Sequence, residues 1–290
     1  MATPTTFHAL DLPTGRQARI PDDIKLVFPE DKALTPHQRQ ATAYIVWDEK
    51  YLRHIPKAYL KFFEYVLPQL SQRTTNVHTA MSVSQLPFLL EHSKSPANER
   101  VIYLATILHD AGWSRVGLEG IAASLSYSGL TLSEASRLPK EQHVLIGAAL
   151  AYDLLDGFDF GHEPVFEAAK RHISQIIRRQ DYDAPWEQGR YPHLSTENKI
   201  VCDADRLWSY THENFWQDTI RKDVEPAEYL VTLTGAIDSY FITPQGKVRA
   251  HGLIADRRSE VEHYLSSQPH RRANPQVWRS KTRPSVRYTT

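Results

Sequence analysis

The residues of this chain best suited to chemistry are histidines and aspartates that fall on the apolar faces of predicted helices. They are His78, His109, Asp110, His143, His172 and an aspartate at position 203 or 205. A single histidine on such a face is more simply explained as a core residue bonded to a carbonyl. Burying an imidazole or a carboxylate, however, costs roughly several kcal/mol when its charge is left uncompensated. Their recurrence on separate helices therefore favours a metal centre.

The adjacent pair His109 and Asp110 indicates how many ions this centre holds. Successive residues of an α-helix point about 100° apart, so the pair reaches toward two sides, and the two oxygens of Asp110 can bridge two ions. Six ligands exceed what one catalytic ion with open positions requires. Imidazole with carboxylate suits Fe, Mn, Zn, Ni or Co better than Ca or Mg. We therefore expect two divalent ions; affinity order alone does not select among these metals, and iron is taken as the first choice.

Helices must position these residues. Val101, Leu104 and Leu108 recur at helical spacing before His109, and Gly112 is expected to end this helix in the left-handed conformation. Sustained strand alternation is missing from the sequence, so the expected fold class is all-α. The predicted helices begin at Pro36, with Thr35 as N-cap, and then span 56–70, 75–91, 139–155, 164–179 and 197–210, while 114–138 forms a loop with a short helix.

Composition limits the partners. Lys plus Arg equals Asp plus Glu at 34 each, so no overall field attracts a nucleic acid polymer or a membrane surface. The single cysteine, Cys202, and the lack of an apolar leader in the first thirty residues favour a cytoplasmic protein. The expected partner is a small-molecule substrate. The oligomeric state is open, with a homodimer as one option.

The ordered series of histidines and aspartates resembles the HD-domain superfamily of metal-dependent phosphohydrolases. The tract Ile107-Leu-His-Asp-Ala-Gly112 is similar to the hallmark of that family, and Lys199-Ile-Val-Cys-Asp-Ala-Asp-Arg-Leu207 is similar to the helix with its last ligand. The resemblance covers roughly residues 72–215 and implies a helical bundle around the metals. It says little about the rest of the chain, where the density of prolines predicts an extended arm at 1–34 ahead of one all-α domain at 35–266 and a basic tail at 267–290.

The resemblance also implies roles for individual residues. His78, His109, Asp110 and the last aspartate match the ligands that all members share. His143 and His172 match the two further histidines of the dinuclear branch, with Asp110 as the bridge. Asp205 is preferred as the last ligand because Ala204 to Leu207 matches the family's Ala-Asp-Arg-Leu core, and Asp203 remains the alternative.

Departures from the family pattern bear on the substrate. Trp113 stands where many of these hydrolases carry Lys or His, so a charged contact to phosphate is missing there. No Gly-Tyr-Pro signature follows the histidines, which argues against a cyclic-di-GMP phosphodiesterase. Arg115 is the nearest cation for phosphate, because guanidinium binds two oxygens at once. The remaining candidates near the pocket are Arg178, Arg179, Arg206, Tyr127, Trp186, His193, Trp208, Tyr210 and His212.

These observations favour a phosphohydrolase acting on a small phosphoester or nucleotide, with Asp110, His109 and Arg115 as its catalytic residues. One alternative uses the same ligands. It is a mixed-valent di-iron oxygenase similar to myo-inositol oxygenase and the organophosphonate-cleaving oxygenases. A third hypothesis is a helical scaffold without catalysis, whose histidines belong to the core.

Overall fold

The N-terminal part of the chain forms two small sheets. The structure, a computed structural model, describes residues 5–72, 74–125, 134–180 and 194–267. Strand β1 (Phe7–Asp11) pairs antiparallel with β2 (Gln17–Pro21), and β3 (Leu26–Val27) pairs antiparallel with β4 (Tyr44–Ile45). The predicted arm is therefore extended, but it is paired with itself and with a later segment. These short strands were not predicted from the sequence, in which sustained strand alternation is missing.

Helices make up most of the described chain, which confirms the all-α class. They are α1 (Pro36–Ala41), α2 (Lys57–Val66), α3 (Thr75–Glu91), α4 (Glu99–Leu108), α5 (Leu118–Leu125), α6 (Glu134–Gly157), α7 (Glu167–Arg179), α8 (Thr196–Leu207), α9 (His212–Arg221), α10 (Pro226–Tyr240) and α11 (Pro244–Ser266). Single 3₁₀ segments cover Glu49–His54, Leu67–Leu70, Ala111–Arg115 and Trp208–Tyr210. In the described part of the chain, none of the helices combines the length and apolar character needed to cross a membrane.

Helices α3, α4 and α8 lie at the centre of the bundle. Every residue of α4 from Val101 to Leu108 is buried, and α3 and α8 are buried along most of their length. Helix ends are set by local hydrogen bonds: Asn98 accepts from the Val101 amide to begin α4, and Ser195 accepts from the Asn198 amide to begin α8. The central position of these three helices fixes the side chains that they carry.

Helices α1 and α6 differ from the sequence prediction in their boundaries. Helix α1 begins after its predicted cap Thr35 but ends at Ala41, because the following apolar residues enter β4. Helix α6 begins at Glu134, so Pro139 lies inside it. Residues 126–133, in the predicted loop at 114–138, and nearly all of the predicted tail at 267–290 lie outside the described residues, as do residues 181–193.

Gly112 does not end a helix in the left-handed conformation, contrary to the prediction. Its role is steric, because a Cβ at this position would lie 1.9 Å from the carbonyl oxygen of His143 and 2.6 Å from the amide of Gly147. The turn after α4 therefore presses directly onto the backbone of α6. This contact brings the sequence neighbours of Asp110 against the helix of His143.

His212 ties the N-terminal segment to the body. Its Nε2 lies 3.1 Å from Oδ1 of Asp23, and its Nδ1 lies 3.0 Å from Oε1 of Glu260 on α11. Burial opposes the charged imidazolium, but hydrogen bonds to the two carboxylates outweigh it and raise the pKa of His212 to about 9. The predicted division into arm, domain and tail remains a prediction.

Candidate metal centre

Three side chains from the central helices meet at one point. His78 from α3, His109 directly after α4 and Asp205 from α8 each offer one ligand atom, and these atoms lie within 4.8 Å of one another. Oδ1 of Asp205 is 2.8 Å from Nε2 of His78 and 3.5 Å from Nε2 of His109. We call these three residues the metal cluster.

Asp110 borders the metal cluster with one of its two oxygens. Oδ2 lies 2.9 Å from Nδ1 of His78 and 3.8 Å from Nε2 of His109. Oδ1 faces the other way, 3.5 Å from Nε2 of His143, and accepts a hydrogen bond of 3.2 Å from Nε1 of Trp113. The two oxygens of one carboxylate thus have different surroundings.

The carbonyl of Thr106 orients the ring of His109. Nδ1 of His109 lies 2.6 Å from this oxygen, and a carbonyl only accepts hydrogen bonds, so Nδ1 carries a proton. In the neutral ring the other nitrogen, Nε2, then presents its lone pair toward Asp205. A hydrogen bond of this kind behind the ring is typical of histidines that bind metals.

The nitrogens that face Asp205 fit a divalent metal. Among the residues that the structure describes, Nε2 of His78 and Nε2 of His109 are buried without a hydrogen bond partner. Asp205 is close to both, but the contacts lack hydrogen bond geometry. Leaving such a buried atom unsatisfied costs about 1–3 kcal/mol, and a cation between imidazoles and carboxylates would remove that cost. Two imidazoles with two carboxylates form a donor set for Zn, Fe, Mn, Co or Ni.

Charges within the centre balance one another. Burial alone would lower the pKa of each histidine, but Asp110 and Asp205 outweigh it, so that the pKa of His78 is raised and that of His109 reaches about 9. Burial would raise the pKa of Asp110 and Asp205, yet the two imidazoles hold both well below the usual range. Metal binding at these residues should therefore release protons.

Two indole rings cover two of the histidines. Trp113 stacks on His143 with ring centroids 4.1 Å apart and planes at 13°, and Trp208 stacks on His78 at 5.1 Å and 19°. His143 and Trp113 are buried, with exposed fractions of 1% and 4%. The sequence had singled out Trp113 only as a departure from the family pattern. Its contacts to Asp110 and His143 were not predicted.

His172 lies apart from the other predicted ligands. Its Nε2 is 3.2 Å from Oγ of Ser195 and 4.0 Å from Oε2 of Glu197, at the start of α8. Asp205 is eight residues beyond Glu197, about 12 Å along a helix that rises 1.5 Å per residue. The structure therefore brings together five of the six predicted ligands and leaves His172 outside the group.

The two aspartates of α8 have separate partners. Asp203 is fully buried and accepts hydrogen bonds from the amides of Ile242 and Thr243, at 2.9 and 2.8 Å, and from Oγ1 of Thr243 at 2.6 Å. Burial raises its pKa despite these donors. Residues two apart on a helix point about 200° from each other. Asp203 thus anchors the start of α11, while Asp205 faces the metal cluster.

The predicted arginines lie away from the metal cluster. Arg115, Arg178 and Arg179 are exposed, whereas Arg206 is buried and donates a hydrogen bond of 2.6 Å to the carbonyl of Tyr240. Of the other candidates, Tyr127, Trp186 and His193 fall outside the described residues, and Tyr210 and His212 have structural partners. The buried surroundings of the cluster are therefore aromatic rather than cationic in the described part.

A separate cleft of about 610 Å³ opens between β2 and the start of α10. Its walls carry charges of both signs, including Arg16, Asp223 and Glu228, and Arg16 is already paired with Asp223. None of the residues of the metal cluster lines it. The chemistry of the buried centre is therefore independent of this cleft.

Comparison with known proteins gives one match. Residues 78–208 match the family model of the HD domain. This span begins at the first histidine of the metal cluster and ends just after its aspartate. Neither the curated proteins nor the solved structures contain a match to the chain.

Proposed function

Residues 78–208 belong to the HD-domain superfamily, and we propose that this chain is a metal-dependent phosphohydrolase acting on a small phosphoester or nucleotide. The observation that carries the proposal is that the Nε2 atoms of His78 and His109 are buried beside Asp205 without a hydrogen bond partner among the described residues. Metal-dependent hydrolysis is the general activity of this superfamily.

The residues that would hold the ion are His78, His109 and Asp205, together with Asp110 through Oδ2. When bound, a divalent ion polarises a phosphoryl oxygen and makes water a better nucleophile. The protein keeps its donors in place before the ion arrives: the Thr106 carbonyl fixes the ring of His109. Such advance positioning of ligands favours binding of the ion in a single geometry.

We propose one ion at the metal cluster as the minimal centre. The second ion that the sequence predicted would have to use His143 and Oδ1 of Asp110. Nε2 of His143 lies 3.5 Å from that oxygen. His172 gives no support to that second position, because its nearest polar partners are Ser195 and Glu197. The stoichiometry of bound metal decides between one ion and two.

One observation favours a second candidate, the di-iron oxygenase. Trp113 and Trp208 flank the centre, and the arginines expected to bind phosphate do not contact it in the described residues. Aromatic walls suit a less charged substrate than a phosphoester. This candidate requires iron in the second position as well as the first.

Both candidates can be tested on the full-length protein. After chelation, the protein is reloaded separately with Mn, Fe, Co, Ni or Zn and assayed for phosphate release from nucleotides and sugar phosphates, with bound metal counted in parallel. We expect phosphate release that depends on metal. His78→Gln should abolish metal binding and activity, whereas His172→Gln, a matched change outside the cluster, should retain both.

Three results would contradict the hydrolase. Metal-loaded protein that releases no phosphate from any of these substrates excludes the proposed reaction. Substrate-dependent O₂ uptake by the iron form, with a mixed-valent EPR signal, would establish the oxygenase instead. A protein that binds no metal, and whose melting temperature is unchanged by chelator, would be a helical scaffold.

A further inference from the structure

Trp113 contacts two of the predicted ligands at once. Its Nε1 donates a hydrogen bond of 3.2 Å to Oδ1 of Asp110, and its ring lies flat on that of His143 at a centroid distance of 4.1 Å. The indole is buried, with 4% of its surface exposed. Trp113 therefore connects the carboxylate of Asp110, beside the metal cluster, to the ring of His143.

The indole is held rigidly enough to act as a fixed donor. Stacking on His143 sets the plane of the ring, and the preceding residue, Gly112, is pressed against the backbone of α6 with no room for a side chain. The indole N–H is a donor only, so it must point at an acceptor when it is buried. Oδ1 of Asp110 is that acceptor.

A fixed donor at Oδ1 determines where the other oxygen lies. A carboxylate turns easily about its last bond, and rotation of Asp110 would move Oδ2 away from His78, from which it is now 2.9 Å. The hydrogen bond from Trp113 restrains this rotation from the opposite side. Oδ2 therefore stays directed toward the metal cluster.

We propose that Trp113 is a positioning residue for the metal centre. Its indole N–H holds Oδ1 of Asp110 so that Oδ2 is presented to the ion. This inference rests on the proposed binding of an ion by His78, His109, Asp110 and Asp205. Loss of an outer hydrogen-bonding partner of a metal ligand typically lowers metal affinity by about 10–100-fold. We expect a loss of this size when the indole N–H is removed.

The test measures Zn²⁺ affinity of the full-length protein by competition with a chromogenic chelator. Trp113→Phe removes the N–H and keeps a flat ring over His143. Trp208→Phe is the matched control, because Trp208 stacks on His78 but makes no hydrogen bond to an aspartate in the described part of the chain. Both substitutions are also made in an Asp110→Ala background, where the acceptor is gone.

The expected pattern is specific to positioning through Asp110. Trp113→Phe should lower Zn²⁺ affinity about 10–100-fold, Trp208→Phe should lower it far less, and Trp113→Phe should have no further effect once Asp110 is alanine. An equal loss in the Asp110→Ala background would show that Trp113 acts through the fold or through His143, and would overturn the proposal. An equal effect of the two tryptophan substitutions would also overturn it.

Failure of the proposed function gives a different result. Wild-type protein without Zn²⁺ affinity would refute metal binding itself, whereas wild-type affinity retained in Trp113→Phe refutes only the role of Trp113. If Trp113→Phe does not fold, as judged by near-ultraviolet circular dichroism, Trp113→Leu, which also lacks a donor, replaces it. A measurement on the wild type needs no variant: the Trp113 indole proton should be protected from solvent exchange, and rapid exchange would contradict the hydrogen bond.

Discussion

Raising the pH should loosen the attachment of the N-terminal segment through His212. The imidazolium is bonded to Asp23 on one side and Glu260 on the other, and the pKa of His212 is raised from 6.5 to about 9 by these hydrogen bonds against the opposing effect of burial. A raised pKa means that the folded protein holds this proton more tightly than the unfolded chain does. The stabilisation is therefore fully present below pH 6.5 and is lost as the pH rises toward 9.

The size of this effect follows from the pKa difference. Each pKa unit corresponds to about 1.4 kcal/mol, so a rise from 6.5 to about 9 corresponds to at most about 3.5 kcal/mol in the free energy of unfolding. The partner whose hydrogen bond raises this pKa most, Asp23, has a side chain that is 63% exposed, so screening by solvent reduces the expected contribution to about 2 kcal/mol. A contribution of this size is a large fraction of the total stability of a typical domain.

Urea denaturation at a series of pH values between about 6 and 10 tests this reasoning. Wild type and His212→Gln are compared in chelator, so that the metal-site histidines titrate identically in both proteins and cancel in the difference. We expect the wild type to be more stable at low pH and the difference to shrink by about 2 kcal/mol as the pH passes 9.

A second histidine of the same region provides the control. His8 lies 3.1 Å from Asp22, but both side chains are nearly half exposed, at 46% and 49%. Exposed ion pairs contribute little, so His8→Gln should leave the pH profile unchanged. Parallel profiles for wild type and His212→Gln, or an equal effect of His8→Gln, would refute the reasoning.

Three further predictions concern contacts around the centre and at helix ends. Gly112→Ala should cost at least about 3 kcal/mol in the free energy of unfolding, because its Cβ would collide with a backbone oxygen of α6, whereas Gly117→Ala, with open space around it, should be nearly neutral in a thermal melt. Asp203→Ala should destabilise the fold by about 3 kcal/mol, because three donors lose their acceptor, while the folded protein keeps its metal affinity. Asp205→Ala should instead lose metal affinity, measured by metal titration, and keep most of its stability. Phe166→Ser should raise stability by about 1 kcal/mol, since this exposed N-cap of α7 makes no capping hydrogen bond; an unchanged or lower melting temperature would contradict it.

Helix periodicity was enough to predict the bundle and the helices of the metal cluster. Helix α3 begins and ends where the sequence predicted, at Thr75 and Glu91. The small sheets were missed, since pairs of two to five residues leave no alternating pattern and depend on partners distant in the chain. Tertiary pairing therefore decided what local sequence could not.

The ligand series illustrates the same limit. The three residues of the metal cluster meet as the motif predicted. His172 also lies on an apolar face of α7, but it is two turns before the end of that helix. It is this end that approaches His109, through Gln180. Periodicity predicts which face of a helix a residue lies on, but not where along the helix axis that residue meets its neighbours. The partner of Trp113 was hidden for a related reason, because the 3₁₀ turn that directs its indole at Asp110 has no periodic signature.

The anchoring of Asp203 has a consequence for how the chain can be divided. The family match ends at residue 208, but the donors that satisfy this buried carboxylate belong to residues 242 and 243, and Arg206 donates to the carbonyl of Tyr240. A polypeptide trimmed to the matched span would keep all residues of the metal cluster and lose the groups that hydrogen-bond Asp203 and Arg206 on the helix of Asp205. The span that matches the family and the folding unit are thus of different length, and minimisation of this protein has to follow the folding unit.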